Sequence, residues 1–267
     1  MAVDPSGWDS GAGARTVYIT PPMQERSPTA AIVVIGDEIL SCKFSEENAS
    51  YLISALRELG VALRRIEVIP DVIDDIRDTV RACSGRFDHV FTSGGVGPTH
   101  DDLTMAGIAA AFGVRVVRHA TLEALLRAFY GDQLVERNLR MADVPEDAEL
   151  LPTEHASWPV VQARNVTILP GVPIIFRRKF DAIRERFRAT PFFVKRVFCM
   201  ADEGALAAHL DAVVAGHPRV SVGSYPRMNA ADHRVIVTLE SIDSTAVTAA
   251  TREFIESLPA GTLVRIE

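Results

Sequence analysis

Basic charge, paired cysteines and long apolar stretches are all scarce in this chain, and each shortage removes a class of function. Lys and Arg number 28 against 35 Asp and Glu, which leaves a net charge of -7. With no basic excess to displace counterions, bulk affinity for nucleic acid or an acidic membrane surface is excluded, and any anion must be captured locally. The three cysteines, Cys42, Cys83 and Cys199, lie far apart and form no C-x-x-C pair. That usage points to reduced thiols in a cytoplasm rather than a disulfide framework or a zinc site. The seven histidines form no H-x-x-x-H or H-E-x-x-H spacing, which argues against a zinc centre of that kind. No apolar run reaches the roughly 20 residues that a membrane helix needs.

What is present is ordinary globular composition. The 267 residues are 48% hydrophobic and 24% charged, enough for one sizeable domain and a smaller one. Residues 1–28 are rich in Gly, Ser, Pro and Asp and lack both a basic start and an apolar stretch. They read as a flexible extension and not as a signal peptide. Val17, Tyr18 and Ile19 offer an alternative there, a short edge strand or a docking point.

From residue 29 onward, strand-like and helix-like segments alternate. Residues 30–35 form a continuous apolar run suited to a strand covered on both faces. Ser45 reads as the N-cap of a helix that Gly60 ends. Strands are expected at 61–69, 89–92 and 114–118, with helices at 74–82 and 102–112 between them. A longer helix at 121–137 would bury Leu122, Leu125, Leu126 and Phe129 on one face. Short strands at 149–151, 160–163 and 166–169 and a helix through Phe187 follow. Such repeated units imply a right-handed parallel sheet with helices on both faces, whose ligands lie at the carboxyl ends of the strands. A break at Ala189-Thr190-Pro191 divides a domain of residues 29–190 from one of residues 191–267. The second domain reads as βαββαβ, the ferredoxin-like α+β order.

The chemistry concentrates in Thr92-Ser93-Gly94-Gly95-Val96-Gly97-Pro98-Thr99-His100-Asp101-Asp102. Glycine lacks Cβ and lets the backbone approach a phosphate, and the following helix start presents amides near Thr99. Gly94, Gly95 and Gly97 could instead make only a tight turn, with Asp101 or Asp102 capping the helix. A cap needs one carboxylate, however, and two in succession repel each other unless a cation or proton compensates. A hard cation such as Mg²⁺ is the natural partner of Asp101 and Asp102. Asp37, after the first strand, and Asp71, behind Pro70 at the end of the second, fall at the same end of the sheet. Each is either a turn residue or part of the site. The same two readings apply to Asn48, which either reaches back to the loop or is solvated. The basic run at residues 177–179 reads as a solvated helix face.

These motifs, together with Asn138-Leu139-Arg140-Met141-Ala142, Pro145 and Leu169-Pro170-Gly171-Val172-Pro173, closely resemble the molybdopterin-binding family of molybdenum-cofactor biosynthesis. The nearest branch is similar to the N-terminal region of competence/damage-inducible protein A and the equivalent domain of FAD synthase. Gly223-Ser224-Tyr225-Pro226-Arg227 extends the likeness into the second domain. The resemblance implies a three-layer αβα sandwich that binds a pterin or a dinucleotide. In the branch with the extra domain it implies metal-dependent hydrolysis of a nucleotide diphosphate bond, with FAD or ADP-ribose as substrate.

By that resemblance Asp37, Asp71, Gly94, Gly95, Gly97, Pro98, Thr99, Asp101 and Asp102 form the site, and Arg140 occupies a basic position of the motif. Asp71, Asp101 and Asp102 are the expected catalytic carboxylates, with Mg, Mn or Co on Asp101 and Asp102. The alternatives are molybdopterin binding with adenylyl transfer, and a non-catalytic nucleotide or pterin binder. Tyr225 either stacks on a ligand ring or packs between domains, and His100 is a possible phosphate donor. A dimer or trimer is implied, and amidase and nucleotidyl transferase activities are expected to be absent. The chain departs from the branch at Cys42, where Gly is usual.

Overall fold

The computed structural model describes residues 26–153, 158–227 and 231–267. Most of the expected N-terminal extension, including Val17, Tyr18 and Ile19, lies outside the described residues. Its last residues are tied to the domain: Arg26 pairs with Asp88 at 3.0 Å and the Pro28 carbonyl accepts the Ala62 N–H at 2.8 Å.

Strand β1 (Thr29–Ile35) shows why the domain has three layers. Its side chains alternate between two cores: Ala31, Val33 and Ile35 join one, and Ala30, Ile32 and Val34 the other. A strand whose both faces are apolar can be stable only under cover on both sides. One cover includes α3 (Ile73–Ser84) and α4 (Thr104–Phe112), through Ile76, Val80 and Ile108. The other includes α2 (Asn48–Glu58) and α7 (Pro173–Ile183), through Leu52, Leu56, Phe176 and Phe180. At Gly107 an added Cβ would stand 2.4 Å from Ile76, so the glycine lets α4 lie close against α3.

Beside β1 stand β2 (Ala62–Ile69) and β3 (His89–Ser93), both parallel to it. The sheet continues with β8 (Val166–Leu169), parallel to β3, and then with β7 (Val160–Ala163) and β6 (Glu149–Leu151), which run antiparallel. Its order is β2-β1-β3-β8-β7-β6. This is the expected αβα sandwich with a mainly parallel sheet. The second unit holds β9 (Phe193–Cys199), α8 (Glu203–Gly216), β10 (Ser221–Pro226), β11 (Val235–Ser241), α9 (Ser244–Ser257) and β12 (Leu263–Ile266). Its antiparallel order β10-β11-β9-β12 is the ferredoxin-like one.

Several local expectations are corrected. The segment expected as a loop after β1 contains a one-turn helix, α1 (Asp37–Leu40). Helix α2 begins at Asn48, beyond Ser45, and Glu46 accepts the Ala49 N–H. The strand expected at 114–118 is β4 (Val116–Arg118), which leaves the main sheet to pair with β5 (Asp143–Pro145). The long helix expected at 121–137 breaks at Gly131, where φ is +51°, into α5 (Ala120–Tyr130) and α6 (Glu136–Leu139). Phe129 is 69% exposed instead of sharing the core with Leu122 and Leu126.

The basic run at 177–179 is no uniformly solvated face. Lys179 is half-buried and donates to the carbonyls of Pro159 (2.8 Å) and Trp158 (3.4 Å). Desolvation pushes its ammonium down to about 8. The unfolded chain then binds more protons than the native one between pH 8 and the ordinary lysine value near 10.4, so stability should rise with pH across that window. Urea titrations at pH 7.5 and 10 should show that rise, and Lys179→Met should flatten it.

The junction at Ala189-Thr190 is pressed against the end of α2. Ala189 N–H donates to Leu59 at 2.7 Å, and a Cβ at Gly60 (φ +79°) would come within 2.2 Å of the Thr190 carbonyl. Arg57 joins the two domains through Glu240.

Candidate functional site

Parallel β1, β2, β3 and β8 deliver their last residues to one edge, and the sequence puts its polar turns there. Gly94 leaves β3 with φ +107° and its N–H donates to Leu169 at 3.2 Å. A Cβ on Gly94 would lie 2.1 Å from the Ile35 carbonyl, so the turn rests directly on the end of β1. A Cβ on Gly95 (φ +62°) would stand 2.4 Å from the Thr104 hydroxyl. Buried Thr104 ties the turn to α4: its hydroxyl donates to the Gly94 carbonyl (2.8 Å) and its N–H to the Gly95 carbonyl (3.0 Å).

Asp102 has a structural use. Its carboxylate accepts the N–H of Gly97 at 2.6 Å and that of Thr99 at 2.7 Å, and it also takes the Thr99 hydroxyl. It therefore closes the turn through Pro98, which is half-buried, and it occupies amides that the phosphate reading had assigned to a ligand. The helix expected from residue 102 starts at Thr104 because Asp102 belongs to the turn. Asp101 points outward, with 61% of its side chain exposed, and His100 is 96% exposed. Hydrogen bonding within the turn holds the Asp101 carboxyl below the ordinary range.

Asp71 accepts the Asp37 N–H at 2.9 Å, which links the end of β2 to the start of α1. Burial raises its carboxyl above the ordinary range. The Asp37 amide opposes that rise, and the charges of Glu38, Asp37 and Asp101 reinforce it. The sequence-predicted Asp37, Asp71 and Asp101 thus share one electrostatic neighbourhood, with Glu38 added. Among the described residues, no three His, Cys, Asp or Glu side chains stand ready to enclose a metal ion. The all-oxygen donor set fits a hard cation of the magnesium kind, which takes one or two carboxylates and completes its shell with water and ligand phosphate.

Asn48 does reach back to the loop. Its amide donates to Ser93 (2.8 Å) and to the Gly171 carbonyl (2.7 Å), pinning β3, β8 and α2 together. Its Oδ1 and the Thr92 hydroxyl are buried with no protein partner, so the floor of the site has acceptor capacity to offer a ligand. Thr104 and Ser93 were missed as site residues. A polar residue just inside the apolar helix 104–112 was the available signal.

Other expected residues lie on other elements. Arg140 sits exposed on the 3₁₀ turn Arg140–Ala142, and no contact among the described residues joins it to Gly94 or Gly95. Tyr225 lies on β10 of the second domain, 54% exposed, its hydroxyl folded over Gly223. Cys42 adopts φ +57°, the left-handed conformation that an L-residue resists by about 1–2 kcal/mol. Cys42→Gly is expected to recover part of that strain, net about 0.5 kcal/mol after the entropy glycine adds to the unfolded chain, read as a higher urea midpoint.

Comparison with known proteins agrees with this architecture. Residues 31–189 match the family described as "Probable molybdopterin binding domain", and residues 191–267 match "FAD synthase, middle domain". A Caenorhabditis elegans protein named "Probable FAD synthase" is 34% identical over 280 residues, 94% of this chain and 53% of that protein. The chain therefore spans about half the length of that relative. An Archaeoglobus fulgidus protein is 32% identical, covering 85% of this chain and 96% of its own. The solved structure of CinA from Thermoplasma acidophilum superposes with a TM-score of 0.56 at 28% identity, over 60% of this chain and 98% of that one. A sandwich of this topology, the glycine turn on β1 and the family match over residues 31–189 lead to one assignment: the chain belongs to the molybdopterin-binding domain family, followed by a module of the FAD synthase middle-domain kind.

Proposed function

We propose that this protein hydrolyses the diphosphate bond of a dinucleotide such as FAD or ADP-ribose, with a divalent cation as cofactor. The observation that carries the reading is the meeting of the Gly94-Gly95 turn with the carboxylates of Asp37, Asp71 and Asp101 at one sheet edge. Backbone that can approach a ligand within van der Waals contact suits the diphosphate, while the acids repel it unless a cation stands between them. Asp71 and Asp101 are the residues that would hold the ion. A bound cation supplies a more acidic water and neutralises charge on the leaving phosphate. Asp102 acts by shaping the turn, and Asn48 by holding Ser93 and Gly171 in register. The FAD synthase names of the module and of the nematode relative support a flavin or nucleotide ligand.

The test is a product panel: FAD, ADP-ribose and related dinucleotides incubated with Mg, Mn or Co and resolved by mass. FMN with AMP, or ribose 5-phosphate with AMP, is the expected outcome. No product with any cation overturns the reading.

A second reading, pterin binding with adenylyl transfer, draws on the family description and on the free acceptor of Asn48, which suits an amino group. Calorimetry with molybdopterin and ATP separates the two. A homo-oligomer is part of the proposal, with a dimer or trimer as the expected mass in solution. No described helix is long and apolar enough to cross a membrane.

A further inference from the structure

A cleft of about 890 Å³ opens between the two domains, and it lies at the wrong end of the sheet to serve the glycine turn. Its walls include Thr29 and residues 62–64, the first residues of parallel β1 and β2, whereas Ile35 and Ile69 lead into the site already described. At about 3.3 Å per residue the two places are roughly 20 Å apart.

The lining is basic in a chain that is acidic overall. Arg26, Arg57, Arg64 and Arg219 face it, against Glu240 and Asp243. Both acids are already engaged: Glu240 with Arg57, and Asp243 with Arg219 (3.3 Å) and with the first amides of α9. Arg26 answers Asp88, while Arg64 has no ion-pair partner among the described residues. An aromatic wall stands beside these cations. Phe192 carries Arg57 over its ring at 5.4 Å, and Phe193 is 41% exposed. Guanidinium forks match phosphate oxygens, and an aromatic face takes a planar base. Domain interfaces are also where small-molecule sites of this size recur.

We propose that the interdomain cleft is a second ligand site, for a nucleoside diphosphate, independent of metal and separate from the glycine turn. Arg64 and Arg219 hold the phosphates, and the base lies against Phe193. Because the walls come from both domains, occupancy fixes their relative placement. The inference stands apart from the proposed hydrolysis, since it uses neither the carboxylates nor a cation.

The experiment is calorimetric titration of the full chain with ADP in EDTA, with adenosine and a short single-stranded oligonucleotide as comparison ligands. ADP should bind and adenosine should not. Arg64→Gln and Arg219→Gln should each weaken ADP about tenfold, the effect of losing one charge-assisted contact. Arg64→Lys should retain most of the affinity, and Asp101→Ala should bind as the parent does. Arg64→Gln alone carries the test should Arg219→Gln melt early. Absence of ADP binding in EDTA, unchanged affinity in Arg64→Gln, or loss in Asp101→Ala overturns the proposal. An oligonucleotide that binds more tightly than ADP does so too.

Discussion

Gly94→Ala is expected to cost roughly 3 kcal/mol or more of stability and to abolish ligand binding. Two independent penalties combine at this position. A φ of +107° lies in a region that L-residues rarely adopt, and the new methyl would stand 2.1 Å from the Ile35 carbonyl, which is backbone and cannot swing away. Either the end of β1 or the turn must move, and both are site. Gly113→Ala is the control: φ is +69° but nothing lies within 4 Å of the added carbon, so only the conformational cost of about 1 kcal/mol remains. Urea midpoints of the two variants should differ clearly. Equal loss would mean that the close approach of the turn to β1 is absent.

The second large effect separates two neighbours that look equivalent in sequence. Asp101→Asn should leave the melting temperature unchanged and lower dinucleotide hydrolysis about 10²- to 10³-fold, because an exposed carboxylate that grips a cation contributes to turnover and not to folding. Asp102→Asn should act through the fold. The carboxylate that accepts the amides of Gly97 and Thr99 is replaced by a group with one acceptor oxygen and an NH₂ facing a donor. Loss of about 2 kcal/mol is expected, with the turn loosened and activity falling as a consequence. Rates and thermal melts on the same preparations distinguish the two patterns. Identical behaviour would contradict the division of labour.

On the proposed reading, Asp71 sets the acid side of cation binding. Its carboxyl is raised by burial and by neighbouring acids, and a cation needs the ionised form. The cation affinity of the metal-free protein should therefore fall, as pH drops, at a higher pH than an ordinary aspartate would give.

How much of this was legible beforehand follows from which interactions are local. The apolar run of β1 and the helix stops at Gly60 and Gly113 are written in neighbouring residues, and each recurs in the structure close to its expected place. The glycine turn was legible because glycine and carboxylate chemistry at a strand end is itself a short-range signal. The roles of Asp101 and Asp102 were not legible. Which carboxylate folds back depends on the path through Pro98 and on Thr104 holding Gly94 and Gly95, which no spacing rule contains. Arg140, a motif position, lies exposed on the 3₁₀ turn Arg140–Ala142. Lys179 looked solvated from its basic neighbours, yet the carbonyls of Trp158 and Pro159, some twenty residues away, decide its fate. The pairing of β4 with β5 was missed for the same reason, since their partners are distant in sequence.

The most direct measurement is the anomalous scattering of crystals soaked with ADP-ribose and Mn²⁺. The account predicts a manganese peak between Asp101 and the ligand, within reach of Asp71, and a diphosphate lying over the glycine turn at the amide of Gly95, since that of Gly94 is given to Leu169. No diphosphate on the glycine turn, or no metal beside these carboxylates under saturating ligand, would contradict it.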